Sequence, residues 1–381
     1  MSSSSRKVLL GLCAVLGVAY LVYHYHGLVH AGGFSGENFR NAVRGANYYY
    51  LALALALLYA CYGIRSLRWQ VFQRNLGPSH YTNILKMTFA GFGAVFLLGR
   101  AGEPVRPLLI ARKEKLPIAD IFGIYILERL FDTASYVVIA AIALILFESH
   151  AHAGETAGKL EAAARTAGAL LFVGVIAAVA LLIYLRVHGS AFLETRLVAW
   201  IGAPGWRAPV ARIVLGFVRG VQTIKSVTDL LLAVFYSGLH WFAVLVVYYI
   251  IVRSFGGVLG SLSTGDAMLV LAFTLVGSVV QLPAVGGGSQ LASILVFTTI
   301  FNVDTSSATV AALVIWMITF ASCSLVGVPL LIGEGFSLGK LRELGKEEKQ
   351  EVAGVLPLGS TQHTMDELAP GPQASRGEYR E

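Results

Sequence analysis

The feature that most constrains this chain is a repeated apolar run long enough to cross a bilayer. A helix needs about 20 apolar residues to span roughly 30 Å of hydrocarbon. Runs of this kind lie at 8–25, 46–64, 167–185, 230–252 and 308–332, and another ends at 147. One such run suits a buried core helix, but the whole set does not. Composition points the same way: 56% of residues are hydrophobic, 13% are charged and the mean hydropathy is +0.69. Soluble domains carry about 25% charged residues. Lipid offers backbone groups no partners, so spanning segments must pair their own. An all-α integral membrane fold is the expectation.

The net charge of +7 would suggest nucleic acid in a soluble protein. Here the basic residues gather in short loops, which marks the cytoplasmic side, and no nucleic-acid partner is expected. Arg6 and Lys7 precede the first run; Arg65, Arg68, Arg74 and Lys86 fall in 65–86. Arg186, Arg196, Arg207, Arg212, Arg219 and Lys225 face only Glu194 in 186–225. These three groups read as cytoplasmic. Segment 148–161, with Glu148, Glu155 and Glu161 against Lys159, reads as external. Residues 28–45, with Glu37, Arg40 and Arg44, are external if the first run crosses. The chain then reads as a multi-pass protein of the cell membrane with both termini cytoplasmic. Arg6-Lys7 before an apolar stretch and Val29-His30-Ala31 loosely resemble a signal peptide. The stretch is long for one, so an uncleaved first helix is expected. Cys13, Cys61 and Cys323 all lie in apolar runs, without disulfide or metal spacing. No cofactor or metal is expected, and scattered His24, His26, His30, His150 and His152 do not change that.

Two apolar regions are broken. Residues 83–112 are interrupted at Gly99-Arg100-Ala101-Gly102-Glu103-Pro104, and residues 265–301 at Pro283-Ala284-Val285-Gly286-Gly287-Gly288. Glycine permits backbone that a helix forbids, and proline removes a donor. Each half is short for a full span, so both regions read as re-entrant helical hairpins. If the first returns to its own side, Arg112, Lys113 and Lys115 land in the cytoplasm. The second then opens externally. About six transmembrane helices plus two oppositely oriented hairpins make an inverted-repeat, transporter-like plan over residues 1–335. Residues 202–222 read either as a basic interfacial helix or as an ordinary loop. The tail 336–381 reads as cytoplasmic and disordered.

Charged side chains inside a membrane cost about 2.5–3.5 kcal/mol each on insertion scales, so each is a functional candidate. The first break holds Arg100, Glu103 and Arg106. Three-residue spacing puts Glu103 and Arg106 on one helical face. A helix restarting at Pro104 would offer unpaired N–H groups beside two arginines, an anion site suited to a lipid phosphate. The bland alternative is that Glu103 neutralises one arginine and holds the loop together. Midway along 117–147 stand Glu128, Arg129 and Asp132. The carboxylates, four apart, face one way and Arg129 is offset by about 100°. They could relay protons, or form an ion-pair network that locks onto Arg100 or Arg106; the network is favoured. His240 reads as packing more than as a proton carrier. Gln281, Pro283, Gly286, Gly287, Gly288, Ser289 and Gln290 surround the second break. They could ligate a head group or satisfy loop backbone.

The stretch Leu98-Gly99-Arg100-Ala101-Gly102-Glu103-Pro104-Val105-Arg106, followed by Glu128-Arg129-Leu130-Phe131-Asp132, resembles the transmembrane flippase-like domain of lysylphosphatidylglycerol synthases, over roughly 8–335. The resemblance implies lipid translocation, carried by Arg100, Gly102, Glu103, Arg106, Glu128, Arg129 and Asp132. Two departures stand out: Gly99 where the family often has proline, and Gln290 near an expected glutamate. The full synthases add a soluble aminoacyl-transferase domain, for which residues 336–381 are too few, so lysyl transfer is not expected.

The leading expectation is a non-enzymatic, flippase-like transporter that moves a phosphate-bearing phospholipid or polyprenyl-phosphate. Arg100 and Arg106 would hold the phosphate, and Glu128 and Asp132 are the proton-coupling candidates. One rival is a non-transporting scaffold that partners an envelope-biosynthesis enzyme. A weaker rival is an integral-membrane glycosyltransferase, which would need an acidic motif where 28–45 offers only Glu37.

Overall fold

The computed structural model describes residues 36–147, 155–188 and 226–335. The expected first helix, the signal-like segment, the 202–222 segment, the histidines at 24, 26, 30, 150 and 152, and the tail lie outside the described residues.

The described chain is almost entirely helical. It runs through α1 (Gly36–Gly45), α2 (Tyr48–Gln73), α3 (Tyr81–Leu98), a 3-10 turn (Gly99–Gly102) and α4 (Val105–Glu114). Long helices α5 (Ile118–Ile145), α6 (Glu155–His188) and α7 (Val227–Arg253) follow. After the short α8 (Gly257–Ser261) come α9 (Thr264–Gly277), the two-residue strands β1 (Gln281–Leu282) and β2 (Gly286–Gly287), and α10 (Gly288–Leu295), which ends in a π turn (Val296–Ile300). The last crossing joins α11 (Thr305–Trp316) to α12 (Cys323–Gly333) through another π turn (Met317–Ala321). Among the described residues, the helices long and apolar enough to cross a membrane are Tyr48–Gln73, Tyr81–Gly102, Val227–Arg253 and Thr305–Gly333. Helix α5 is as long, but it carries Glu128, Arg129 and Asp132 in its middle. Large apolar side chains face outward along the bundle, with Phe235, Phe242 and Leu325 all more than half exposed. That suits lipid contact and not water.

Helix ends are closed by short polar caps. Ser226 with Asp229 and Ser263 with Asp266 form capping boxes at α7 and α9, and the Asn47 and Asp304 side chains cap α2 and α11. These caps satisfy donors that the helices cannot pair internally.

Both expected breaks are turns between packed helix pairs. Helix α3 packs on α4, and α9 on α10. Glu114, at the end of α4, accepts from Asn83 Nδ2 (2.8 Å) and lies 2.9 Å from His80 Nδ1 at the start of α3. The first pair therefore closes on itself at its base. In the second pair, the Thr274 and Ser293 hydroxyls meet at 2.8 Å. Its break carries a small antiparallel ladder, Gln281 opposite Gly287.

Cross-contacts define two ends of the bundle. At one end, Arg74 pairs with Asp229 and Lys113 with Glu334 (2.8 Å). This brings together the end of α2, the base of the first helix pair, the start of α7 and the end of α12. At the other end, the Asn47 N–H donates to the Ser254 carbonyl (2.7 Å), and Leu146 lies beside Gly265.

One reading from the sequence needs correction. Arg65 and Arg68 do not belong to a loop. Helix α2 continues to Gln73 because no glycine or proline intervenes before Gly77-Pro78, and both side chains are buried. Within the segment 28–45, residues 36–45 form α1, which packs against α11.

Candidate functional site

The tips of the two helix pairs touch. The Ala284 N–H donates to the Phe96 carbonyl (2.7 Å), and Arg100 Nη2 donates to the Ser278 carbonyl (2.8 Å). Gly102 makes the first turn possible: a Cβ there would run into the backbone of Ala94 and Val95. Glu103 does not pair with Arg106. Its Oε1 accepts from Arg100 (3.1 Å) and its Oε2 from the Tyr125 hydroxyl (2.6 Å). Arg106, the second residue of α4, instead points at α5 and pairs with Glu128. It fits because α3 presents Gly91, where a Cβ would overlap the Arg106 side chain. The Arg106 guanidinium also stacks 4.7 Å from the Trp69 ring.

Around Glu128 and Asp132 a buried network joins four helices. Arg68 Nη2 donates to Glu128 (2.9 Å) and to Asp132 (2.8 Å), while its Nη1 donates to the Ser237 hydroxyl (3.1 Å). Asp132 also accepts from Arg65 (2.9 Å) and the Trp241 indole (3.2 Å), and pairs with Arg129 (3.0 Å). The register explains the meeting. Arg65 and Arg68 are three apart on α2, Glu128 and Asp132 four apart on α5, and Ser237 and Trp241 four apart on α7, so each pair shares a face. His240 is packed beside this network, edge-on to Trp241, with Nδ1 3.3 Å from the Cys61 carbonyl.

Buried ions cost several kcal/mol each to desolvate, and paired geometry must offset that cost. Here the pairing is lopsided. Arg65, Arg68, Arg100, Arg106 and Arg129 face Glu103, Glu128 and Asp132, so five guanidinium groups meet three carboxylates and two positive charges remain.

This excess lies beside a cavity of about 630 Å³. Arg65, Arg100, Glu103, Arg106, Arg129 and Asp132 line it, whereas Glu128 and Arg68 sit behind its wall. The Arg100 and Arg129 side chains are the accessible ones, 48% and 36% exposed, against 5% for Arg106 and 0% for Arg68. The second helix pair contributes Gln281, Gly286, Ser289 and Gln290, and α11 contributes Trp316. Pro283 lies against Gly99, and Gly288 opens α10. Gly286 and Gly287 adopt φ of +91° and +125°. Gln290 is occupied with its own turn, accepting from the Gly287 N–H (2.6 Å) and donating to the Val285 carbonyl (2.9 Å). Apolar walls from Val137, Leu171, Val244 and Val276 complete the cavity.

The structure thus brings the two sequence-marked clusters to one place, and adds residues that sequence reasoning missed. Arg65, Arg68, Tyr125, Trp241 and Trp316 carried no motif. The usable signal was the three-residue spacing of Arg65 and Arg68 inside a helix that had not yet ended.

A search of curated proteins and a search of solved structures each found no match. The family described as Lysylphosphatidylglycerol synthase TM region matches residues 8–327. That match covers most of the chain, and with the apolar helices it makes this a multi-pass membrane protein related to lipid biosynthesis or transport. The chain belongs to the lysylphosphatidylglycerol synthase TM region family.

Proposed function

We propose that this chain is a flippase-like transporter that moves a phosphate-bearing lipid head group across the cell membrane. In this reading it makes no bond. The observation that carries it is the cavity beside the two touching tips, lined by arginines in excess of carboxylates. A membrane interior is a costly place for two unneutralised cations. A phosphate is the natural counter-ion at that depth, and bidentate contact with guanidinium groups is strong.

Arg100 and Arg129 are the groups that would touch the phosphate, because their side chains are accessible. Arg106, Arg65 and Arg68 would supply fixed charge, with Glu128 and Asp132 as their counter-ions. Proton coupling through these carboxylates is the weaker reading, since each already faces several guanidinium groups. The helix pairs would be re-entrant hairpins entering from opposite faces, with about six further helices crossing fully. Rocking of one repeat against the other would expose the site alternately.

The test is reconstitution. Proteoliposomes holding the full chain should translocate a fluorescent phosphatidylglycerol. Arg100→Gln together with Arg129→Gln should lower the rate at least tenfold. Unchanged translocation by the double variant would remove the phosphate-contact role.

A further inference from the structure

Helix α5 and the last crossing are built alike but differ in their middles. Helix α5 packs on α4, the second leg of the first pair, and on α9, the first leg of the second pair. In the last crossing, α11 packs on α10, the second leg of the second pair, and α12 on α3, the first leg of the first. Each therefore joins both helix pairs. Helix α5 runs unbroken from Ile118 to Ile145, and Asp132 in its middle is tied to Arg65, Arg68 and Trp241. It offers no place to bend. The last crossing is instead interrupted by the π turn Met317–Ala321. There the Ser322 N–H donates to the Met317 carbonyl (2.8 Å), and the Tyr59 hydroxyl of α2 donates to the Ser322 carbonyl (2.9 Å). Such turns are rare, gather at functional sites and are places where helices kink.

The two sides of this turn are fastened to different helix pairs. Helix α12 is held to α3 at Gly327 and Gly93, where a Cβ on Gly327 would overlap the Phe89 carbonyl. The Lys113–Glu334 pair fastens its far end to the base of the first pair. On the other side, α11 ends at Trp316, whose indole lies against Gly286 of the second tip, where a Cβ would meet its Nε1. Within the turn, the Phe320 ring lies 5.8 Å from that of Phe96, whose carbonyl accepts from Ala284 of the second tip. The Trp316 and Phe320 rings are 6.4 Å apart. Each tip is thus met by one aromatic side chain at the turn, and both side chains line the cavity. Resting on the transport reading, we infer that Met317–Ala321 is the joint at which the chain bends when the tips part, and that Trp316 and Phe320 are positioning residues that hold the tips together until then. Rocking needs a segment that lets α11 follow one helix pair and α12 the other. A few residues at the end of an element suffice to absorb such a change.

Pulsed dipolar distances between spin labels test this on the full chain in phosphatidylglycerol vesicles, with Cys13, Cys61 and Cys323 changed to Ala. Leu313→Cys and Leu325→Cys place exposed labels on either side of the turn. Val227→Cys and Leu239→Cys place an equally spaced pair on the unbroken α7. The α7 pair should give one narrow distance, and the pair across the turn a double one. Phe320→Ala should at least double the share of the second distance. It should also lengthen the separation of labels at Ala101→Cys and Leu282→Cys on the two tips, both exposed positions. Phe320→Tyr should leave both distances as they are. The α7 distance in the same variants should not move, which separates parting of the tips from unfolding. A distance across the turn as narrow as that on α7 overturns the joint, and leaves the transport reading standing where the unsubstituted chain still moves lipid. An unchanged tip separation in Phe320→Ala overturns the holding role. Failure of the unsubstituted chain to translocate lipid overturns the transport reading and the joint with it.

Discussion

Arg68 and Arg129 touch the same carboxylate and should behave differently when replaced. Arg68 is fully buried and bridges Glu128, Asp132 and Ser237. Arg68→Leu leaves buried carboxylates short of partners, and breaking a buried pair costs about 3–5 kcal/mol. Thermal unfolding of the purified protein should show a large loss of stability. Arg129 is partly exposed and pairs with Asp132 alone among the carboxylates. Arg129→Gln should cost less than about 1 kcal/mol of stability, yet weaken phosphatidylglycerol binding severalfold in detergent micelles. Equal stability losses in the two variants would mean that Arg129 is as structural as Arg68. The sequence marks Arg129, Glu128 and Asp132, because charges within an apolar run stand out. It hides Arg65 and Arg68, because charges at the edge of a run look like loop residues. Hydropathy registers where apolarity stops, whereas the helix stops nine residues after Ile64, at Gln73.

At the scale of elements, the breaks are legible because glycine and proline act locally. Gly99 takes a left-handed φ of +65° and Pro283 has no N–H to donate, and the structure turns the chain at both. What is not legible is that the tips meet, since that depends on packing between segments about 180 residues apart. The same limit applies to Gly102. Its neighbour in space is the backbone of Ala94 and Val95, so a Cβ has nowhere to go. Gly102→Ala should destabilise by about 1–3 kcal/mol, as overpacking does, and should also lower lipid binding by displacing Arg100. Gly174, on α6, faces open space. Gly174→Ala should be neutral or stabilising by up to about 1 kcal/mol, the intrinsic helix preference. Comparing the two by thermal unfolding separates a packing requirement from a general effect of losing glycine.

Over the whole molecule, the charge asymmetry of the sequence and the contacts of the structure constrain each other. The sequence assigns the end of α2, the loop after α4, the start of α7 and the end of α12 to one side by their basic neighbours. The structure gathers those same points at one end of the bundle through the Arg74–Asp229 and Lys113–Glu334 pairs. The opposite end holds Asn47, Ser254 and Leu146. The ends gathered by these contacts are the ends that the basic residues assign to one side, which is the arrangement that hairpins opening to opposite faces would need. Lys113 sits at the base of the first pair, and Ser261 just before the second, both exposed. In reconstituted vesicles, Lys113→Cys and Ser261→Cys, made in a background with Cys13, Cys61 and Cys323 changed to Ala, should react with a membrane-impermeant maleimide from opposite sides. The Lys113→Cys label should appear on the side that also carries the C-terminus. Labelling of both cysteines from the same side would rule out the inverted repeat. It would also remove the alternating-access reading, because a site reached only by hairpins from one face has no second half to rock against.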